Sequence, residues 1–340
     1  MSSTIPSIPT TMRAIRYQEA GGPEVIKLEY LPVPEPGKGE ALVKVGAAGV
    51  NFADIARRHN RYLEATTFPY IPGLEVAGTV VQLGPDTPES GWLRVGARVL
   101  GVCPGGAYAE YLAVSARLLA PAPAGPTDAE LVALPVQGVT AYHLLKTSAR
   151  LAAGESVLVN AAGGGVGVLA IQVAKLLGAG KVIAAAGAAD KLELARSLGA
   201  DEVINYRTEN LTERVMALTD SKGANIILEP VGGDIYSQSE KALAAFGRLV
   251  VFGRASGEPV VVDTLRLMRR NAAVEGFWLA TLPGAMIAEA MQALGGWLAD
   301  GKLRIVQGGV YPLEEAAHAQ QDMEARRTHG KLAIQVSKPE

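Results

Sequence analysis

The 340-residue chain contains one cysteine, Cys103, and only four histidines. A single thiol cannot form an internal disulfide, and a cysteine-rich zinc lobe is excluded with it. A reducing compartment, the cytoplasm, is the expected location. His59, His143, His318 and His329 stand at no metal-ligand spacing and read as surface or helix-packing residues. Charge of either sign is also scarce, at 19% of residues with a formal net charge of −2, so nothing draws the chain to nucleic acid over long range. Basic pairs such as Arg57-Arg58, Arg269-Arg270 and Arg326-Arg327 read as solvated surface or local anion contacts. No stretch approaches the ~20 continuous apolar residues of a membrane span. Residues 1–11 are rich in Ser, Thr and Pro, have neither the basic start nor the apolar middle of a signal peptide, and read as a loose arm. There is no internal repeat, no G-x-S-x-G elbow and no paired-carboxylate signature.

What is present is a large apolar fraction, 49%, which argues for packed cores rather than disorder. At 340 residues the chain exceeds one typical core and implies about two domains. Residues 12–119 read as short strands separated by Gly/Pro turns, such as 14–17, 25–28, 41–45, 75–81 and 97–100, forming a small β module. Pro121-Ala122-Pro123-Ala124-Gly125-Pro126 breaks this pattern, and helices follow at 129–134 and 139–148. Strands at 157–160, 181–186, 202–205, 225–228 and 247–252 then alternate with helices at 191–198, 211–219 and 236–245. This alternation implies an α/β, doubly wound parallel sheet. The tail, with helices at 285–298 and 314–324 and a strand at 331–336, is expected to return to the β module. The expected division is an arm at 1–11, a β domain made of 12–138 and 276–340, and a nucleotide domain at 139–275.

The most informative stretch is the apolar run Val157-Leu158-Val159-Asn160, the turn Ala161-Ala162-Gly163-Gly164-Gly165-Val166-Gly167 and the helical pattern that continues to Leu177. A glycine-rich strand-to-helix turn gathers backbone N–H groups and the positive end of a helix dipole, which suits a pyrophosphate. Ala162 stands where the first glycine of G-x-G-x-x-G would be, and glycines also punctuate ordinary tight turns. The second strand at 181–186 completes a βαβ unit and favours a nucleotide site. In such a unit an acid at the end of the second strand bonds the ribose hydroxyl of NAD. Here that place is Gly187, and Lys191 lies one helical turn on, so a ribose 2′-phosphate is tolerated and NADP(H) is favoured. Asp190 competes nearby, and Lys191 also reads as a plain solvated lysine.

With these motifs, the chain after its arm resembles a zinc-independent medium-chain dehydrogenase/reductase of the quinone oxidoreductase (zeta-crystallin-like) family. The matching stretches are Ala48-Gly49-Val50-Asn51-Phe52-Ala53-Asp54, Pro72-Gly73-Leu74-Glu75-Val76-Ala77-Gly78, Gly106-Ala107-Tyr108-Ala109-Glu110-Tyr111, Gly138-Val139-Thr140-Ala141, residues 160–167 and residues 198–206. The resemblance implies a Rossmann domain plus a GroES-like β-barrel domain, with the active cleft between them, and a homodimer formed through edge strands near 273–276. The family's A-x-x-G-x-x-G turn falls on Ala161, Gly164 and Gly167, with Gly165 and Val166 between the two glycines. Its 2′-phosphate contacts fall on Lys191 and Tyr206, with Arg326 a weaker match, beside Gly187. Its nicotinamide-side contacts fall on Asn51, Thr140, Phe252 and Gly253, and more loosely on Val231-Gly232.

Zinc alcohol dehydrogenases of the same superfamily hold catalytic zinc with a cysteine and a histidine whose places are Asn51 and Leu74 here, and neither replaces such a ligand. Without a Lewis acid the natural acceptors are already activated ones, quinones or alkenes conjugated to a carbonyl. The resemblance makes Tyr62 the candidate proton donor and Asn51 a cofactor- or substrate-orienting group. From its setting alone Tyr62 also reads as a half-buried packing residue, and Asn51 as a turn-stabilising one. Asp54 and Glu75 read as structural. A second tyrosine of bacterial quinone reductases falls on Ala56, and Phe277-Trp278 resembles an aromatic pair of enoyl thioester reductases, so enoyl thioester reduction is the alternative activity. An NADPH-bound crystallin-like or RNA-binding protein is the non-enzymatic alternative that the resemblance raises.

Overall fold

The computed structural model describes residues 8–87 and 91–337. Most of the expected arm, residues 1–7, lies outside these, and the first strand already begins at Thr11. In chain order the strands are β1 (Thr11–Tyr17), β2 (Ile26–Pro32), β3 (Glu40–Val50), β4 (Glu75–Leu83), β5 (Arg98–Val102), β6 (Tyr111–Ser115), β7 (Leu119–Pro121), β8 (Ser156–Val159), β9 (Lys181–Ala186), β10 (Glu202–Asn205), β11 (Ala224–Glu229), β12 (Leu243–Val251), β13 (Ala273–Gly276), β14 (Gln307–Pro312) and β15 (Lys331–Gln335). The helices are α1 (Phe52–Arg58), α2 (Asp128–Leu131), α3 (Val139–His143), α4 (Gly165–Leu176), α5 (Ala189–Ser197), α6 (Leu211–Leu218), α7 (Gly233–Lys241), α8 (Thr264–Arg270), α9 (Gly284–Ala299) and α10 (Ala316–Glu324).

The chain forms two compact units, one of residues 1–136 and 305–340 and the other of 137–304. In the first, strands run in the order β14-β15-β3-β4-β5-β7 with β6 also on β3, and β1 and β2 pair separately. Among the described residues no pairing joins β14 to β7, so the sheet is not seen to close into the expected barrel. The C-terminal β15 lies antiparallel to β3, with Leu332 opposite Val50. A buried core of aliphatic residues, including Val43, Val45, Val50, Val76, Val80, Leu332 and Ile334, packs against this sheet. Arg58, at the end of α1, is wholly buried and donates to Gln320 Oε1 and Glu324, fastening α1 to α10.

The second unit is built on a six-stranded sheet ordered β10-β9-β8-β11-β12-β13, whose strands are all parallel. Its central strands are apolar on both faces, as a sheet covered by helices on each side requires. Strand order reverses between β8 and β11, and crevices of such sheets open beside the carboxyl ends at that point.

Two expectations are corrected here. The nucleotide unit does not stop at residue 275 but runs to Arg304. The cause is α9: Glu289 accepts from the Tyr142 hydroxyl at 2.9 Å, and Met286 O lies 2.9 Å from His143 Nε2, so α9 packs on α3. Residues 243–245, read as the end of a helix, begin β12 instead, because Leu243 pairs with Ala224. The short helices α1 and α8 carry too few periodic positions to stand out in the chain.

Candidate functional site

In the second unit, β8 ends at Val159 and the chain turns through Asn160 to Gly164 before α4. Ala162 N donates to Ala185 O at 3.0 Å, which pins the turn to β9. Ala161 has φ +50°, a left-handed conformation costly for any residue with a Cβ. Gly167 lies so close beneath the turn that an added Cβ would sit 2.5 Å from Ala161 O and 2.7 Å from Ala162 Cα. Only glycine lets α4 approach that closely. The N-cap of α4 is Gly164, which brings no side chain to accept from the first-turn N–H groups of Gly165, Val166 and Gly167. A helix N-terminus without a side-chain cap suits an anion such as a pyrophosphate, and the Gln137 side chain lies over Gly165 there.

At the carboxyl end of β11 the buried Glu229 accepts from Val231 N, from Gly232 N at 2.8 Å and from Asn160 Nδ2 at 2.6 Å. This carboxylate ties the 230–232 loop to the residue that opens the glycine turn. Burial pushes its pKa up despite those donors. Phe252 N donates to Glu229 O at 3.1 Å, and an added Cβ at Gly253 would lie 3.0 Å from Pro230 O. Phe252 and Gly253 are thus held beside Val231-Gly232 at the ends of β11 and β12. Thr140 is buried in the first turn of α3.

Gly187 and Tyr206 come together at the ends of β9 and β10, and Lys191 follows in the first turn of α5. Tyr206 N donates to Ala186 O at 3.3 Å, and Tyr206 Cε2 would lie 3.0 Å from a Cβ on Gly187. The Lys191 stem lies against the turn, with its carbons 2.8 Å from a Cβ placed on Gly163. No side chain caps α5, whose N-cap is Ala188.

The first unit holds Asn51, Tyr62 and Arg326. Asn51 precedes α1, and Asp54, three residues on, accepts from its backbone N–H at 2.9 Å and from Gly73 N at 3.1 Å. The Asn51 carboxamide donates to Glu75 Oε1 at 2.6 Å. Glu75 is fully buried, lies over Gly49, accepts from Val136 N at 2.8 Å and is ion-paired to the buried Lys331 ammonium. Lys331 Nζ also approaches Asn51 Oδ1 at 3.5 Å. Sequence reasoning missed Lys331, since 256 residues separate it from Glu75 and only the β15–β3 pairing brings them together. Asp54 bonds the start of α1, while Glu75 pairs with Lys331, far along the chain, rather than locally. Tyr62 is half-buried, with the Arg57 guanidinium 4.4 Å from its ring centre. Arg326 follows α10 in an exposed turn.

The family model for "Alcohol dehydrogenase GroES-like domain" matches residues 37–124, and that for "Zinc-binding dehydrogenase" matches 165–295. A quinone oxidoreductase of Pseudomonas aeruginosa is 34% identical over 331 residues, covering 95% of this chain and 99% of the relative. The chain belongs to the quinone oxidoreductase family. Among solved structures, Escherichia coli quinone oxidoreductase complexed with NADPH superposes with a TM-score of 0.88 at 31% identity, covering 95% of this chain and all (100%) of the other. A mycobacterial protein complexed with NADPH gives 0.90 at 34% identity, covering 96% and 100%. The second unit is the Rossmann-like part of this family and the first its GroES-like part. Among the described residues no helix is long and apolar enough to cross a membrane.

Two consequences follow for stability. Lys331→Met strands the Glu75 carboxylate in the core and is expected to cost about 3–5 kcal/mol in urea unfolding, whereas adding Glu75→Gln should recover much of it. Additive losses would show that the pair is not coupled. Asp54 is fully buried, and burial raises its pKa from 3.8 to about 6 against the pull of its two backbone donors and Lys331. A raised carboxyl pKa means the native state keeps a proton that the unfolded chain has released. Stability from this group is therefore greatest below about pH 4, falls as pH rises through 6, and is flat above. Unfolding curves from pH 4 to 7 should show that slope in the native protein and lose it in Asp54→Asn; equal slopes would refute the assignment.

Proposed function

We propose that the chain is an NADPH-dependent reductase of quinones or other electron-poor, carbonyl-conjugated acceptors, working without zinc as a cytoplasmic homodimer. The observation that carries the zinc-free reading is the ion pair of Glu75 with Lys331. Where the superfamily's zinc enzymes use cysteine and histidine, this chain has a carboxamide already donating to Glu75 and the alkyl side chain of Leu74. The adjacent carboxylate is neutralised by an ammonium, so a second cation there would be repelled. That donor set does not fit a zinc ion, although one matching family model carries zinc in its description.

The second unit fits the dinucleotide. The uncapped N–H groups of α4 suit the pyrophosphate, Tyr206 beside Gly187 and Lys191 in α5 suit a ribose 2′-phosphate, and Thr140, Phe252 and Gly253 suit the nicotinamide end. Arg326 is a further phosphate contact in this reading. The relatives named as quinone oxidoreductases, one of them solved with NADPH, support the same cofactor. When bound, the reduced nicotinamide supplies a hydride. Asn51, braced by Glu75 and Lys331, orients the cofactor or the substrate in this reading. Tyr62 holds a proton at its phenolic oxygen for the oxyanion that a reduced acceptor develops, with Arg57 steadying the ring. The edge strand β13 offers unpaired backbone groups for a second copy, and Phe246, Leu265 and Met268 are exposed on the same unit.

Reduced-nicotinamide absorbance, followed with NADPH or NADH against quinones and crotonyl-type thioesters, tests this reading. Quinone turnover with NADPH is expected, and turnover of thioesters alone would move the assignment to enoyl thioester reduction. Tyr62→Phe should lower kcat by about 100-fold with little change in the KM for NADPH. An unchanged kcat removes Tyr62 from the chemistry. Light scattering on a sizing column should report a dimer, and a monomer at micromolar concentration would overturn the assembly.

A further inference from the structure

Gly187 directly follows β9, and the chain segment facing it is Tyr206-Arg207, just after the neighbouring β10. A Cβ on Gly187 would lie 3.0 Å from Arg207 Nε and 3.3 Å from Arg207 Cδ. The guanidinium arm therefore lies directly over the position where an NAD-preferring site carries its acid. Its backbone is anchored there, since Arg207 N donates to Asn205 Oδ1 at 3.1 Å. Among the described residues the Arg207 side chain has no carboxylate partner. The acid nearest in sequence, Glu209, is committed elsewhere: Oε1 accepts from Asn205 N at 2.9 Å, and Oε2 lies 2.7 Å from Arg214 Nε. The side chain is exposed at the carboxyl edge of the sheet, where ligands of such sheets bind, and the Lys191 stem, on α5, lies against Gly163 in the glycine turn.

We propose that Arg207 is a specificity-determining residue whose guanidinium binds the ribose 2′-phosphate of NADPH. This rests on the NADPH reading and adds to it a second cation besides Lys191. A planar guanidinium offers a phosphate two parallel donors, which a lysine cannot. A neutral ribose 2′-hydroxyl can accept only an ordinary hydrogen bond from the same guanidinium, so most of its effect appears as discrimination between the two dinucleotides.

Calorimetric titration of the full-length protein with 2′,5′-ADP and with 5′-AMP, which differ only in the 2′-phosphate, tests this without turnover. The native protein is expected to bind 2′,5′-ADP at least about tenfold more tightly than 5′-AMP. Arg207→Gln should weaken 2′,5′-ADP by about 10- to 100-fold and leave 5′-AMP nearly unchanged, with Arg207→Lys intermediate. Because Arg207 is exposed, these variants keep the core intact. If Arg207→Gln leaves a discriminating protein unchanged, or weakens both ligands equally, the assignment to Arg207 is overturned while the NADPH reading stands. If the native protein binds both ligands alike, the 2′-phosphate reading itself fails, and the role of Arg207 with it.

Discussion

The ion pair between Lys331 and Glu75 holds the first unit's site together. Both side chains are buried, and each comes from the first residue of its strand, β15 and β4. β3 lies between those strands and leads directly into Asn51, so the pair grips the residue on which α1 starts. A buried ion pair is a poor source of net stability, because removing two charges from water offsets most of their attraction. Its value here is positional. The carboxylate cannot turn away without leaving the ammonium unpaired, and the Asn51 carboxamide cannot turn without losing its acceptor. Gly49 completes the arrangement, since a Cβ there would meet the Glu75 side chain at 2.1 Å.

The second unit solves a comparable problem with backbone donors. Its site lies where the strand order reverses, and Asn160 and Glu229 sit at the two strand ends that diverge there. Their hydrogen bond links the glycine turn to the 230–232 loop. The left-handed Ala161 fits the same picture, because the tight packing of Gly167 under Ala161 and Ala162 leaves the turn no relaxed alternative. Strain of that kind persists where surrounding contacts over-determine the backbone, as they commonly do at functional sites.

Much of this was legible in the chain. The strand–turn–helix from Val157 to Leu177 is recognisable because its pattern is local, with β-branched residues, then glycines, then helical spacing. The alternation from 157 to 252 is legible for the same reason, and so is the carboxylate-free end of β9 at Gly187. The start of β12 was not, because Leu243-Ala244-Ala245 suits a helix, and only pairing with β11 makes it a strand. Nor was the allegiance of α9, which depends on Tyr142 and His143 reaching across to Glu289 and Met286. Asp54 and Glu75 could be read as structural acids, but their partners could not be named.

The sequence by itself determined the order of elements, the glycine turn that can take a pyrophosphate, the neutral residue at 187 and the absence of cysteine and histidine at positions 51 and 74. Each depends on residue type within a short window. Tertiary structure alone decided that Lys331 neutralises Glu75, that Asp54 is fully buried, which raises its carboxyl pKa, and that Arg207 lies over Gly187. Charge neutralisation, desolvation and steric exclusion act through space, between residues whose separation in the chain carries no information about their distance.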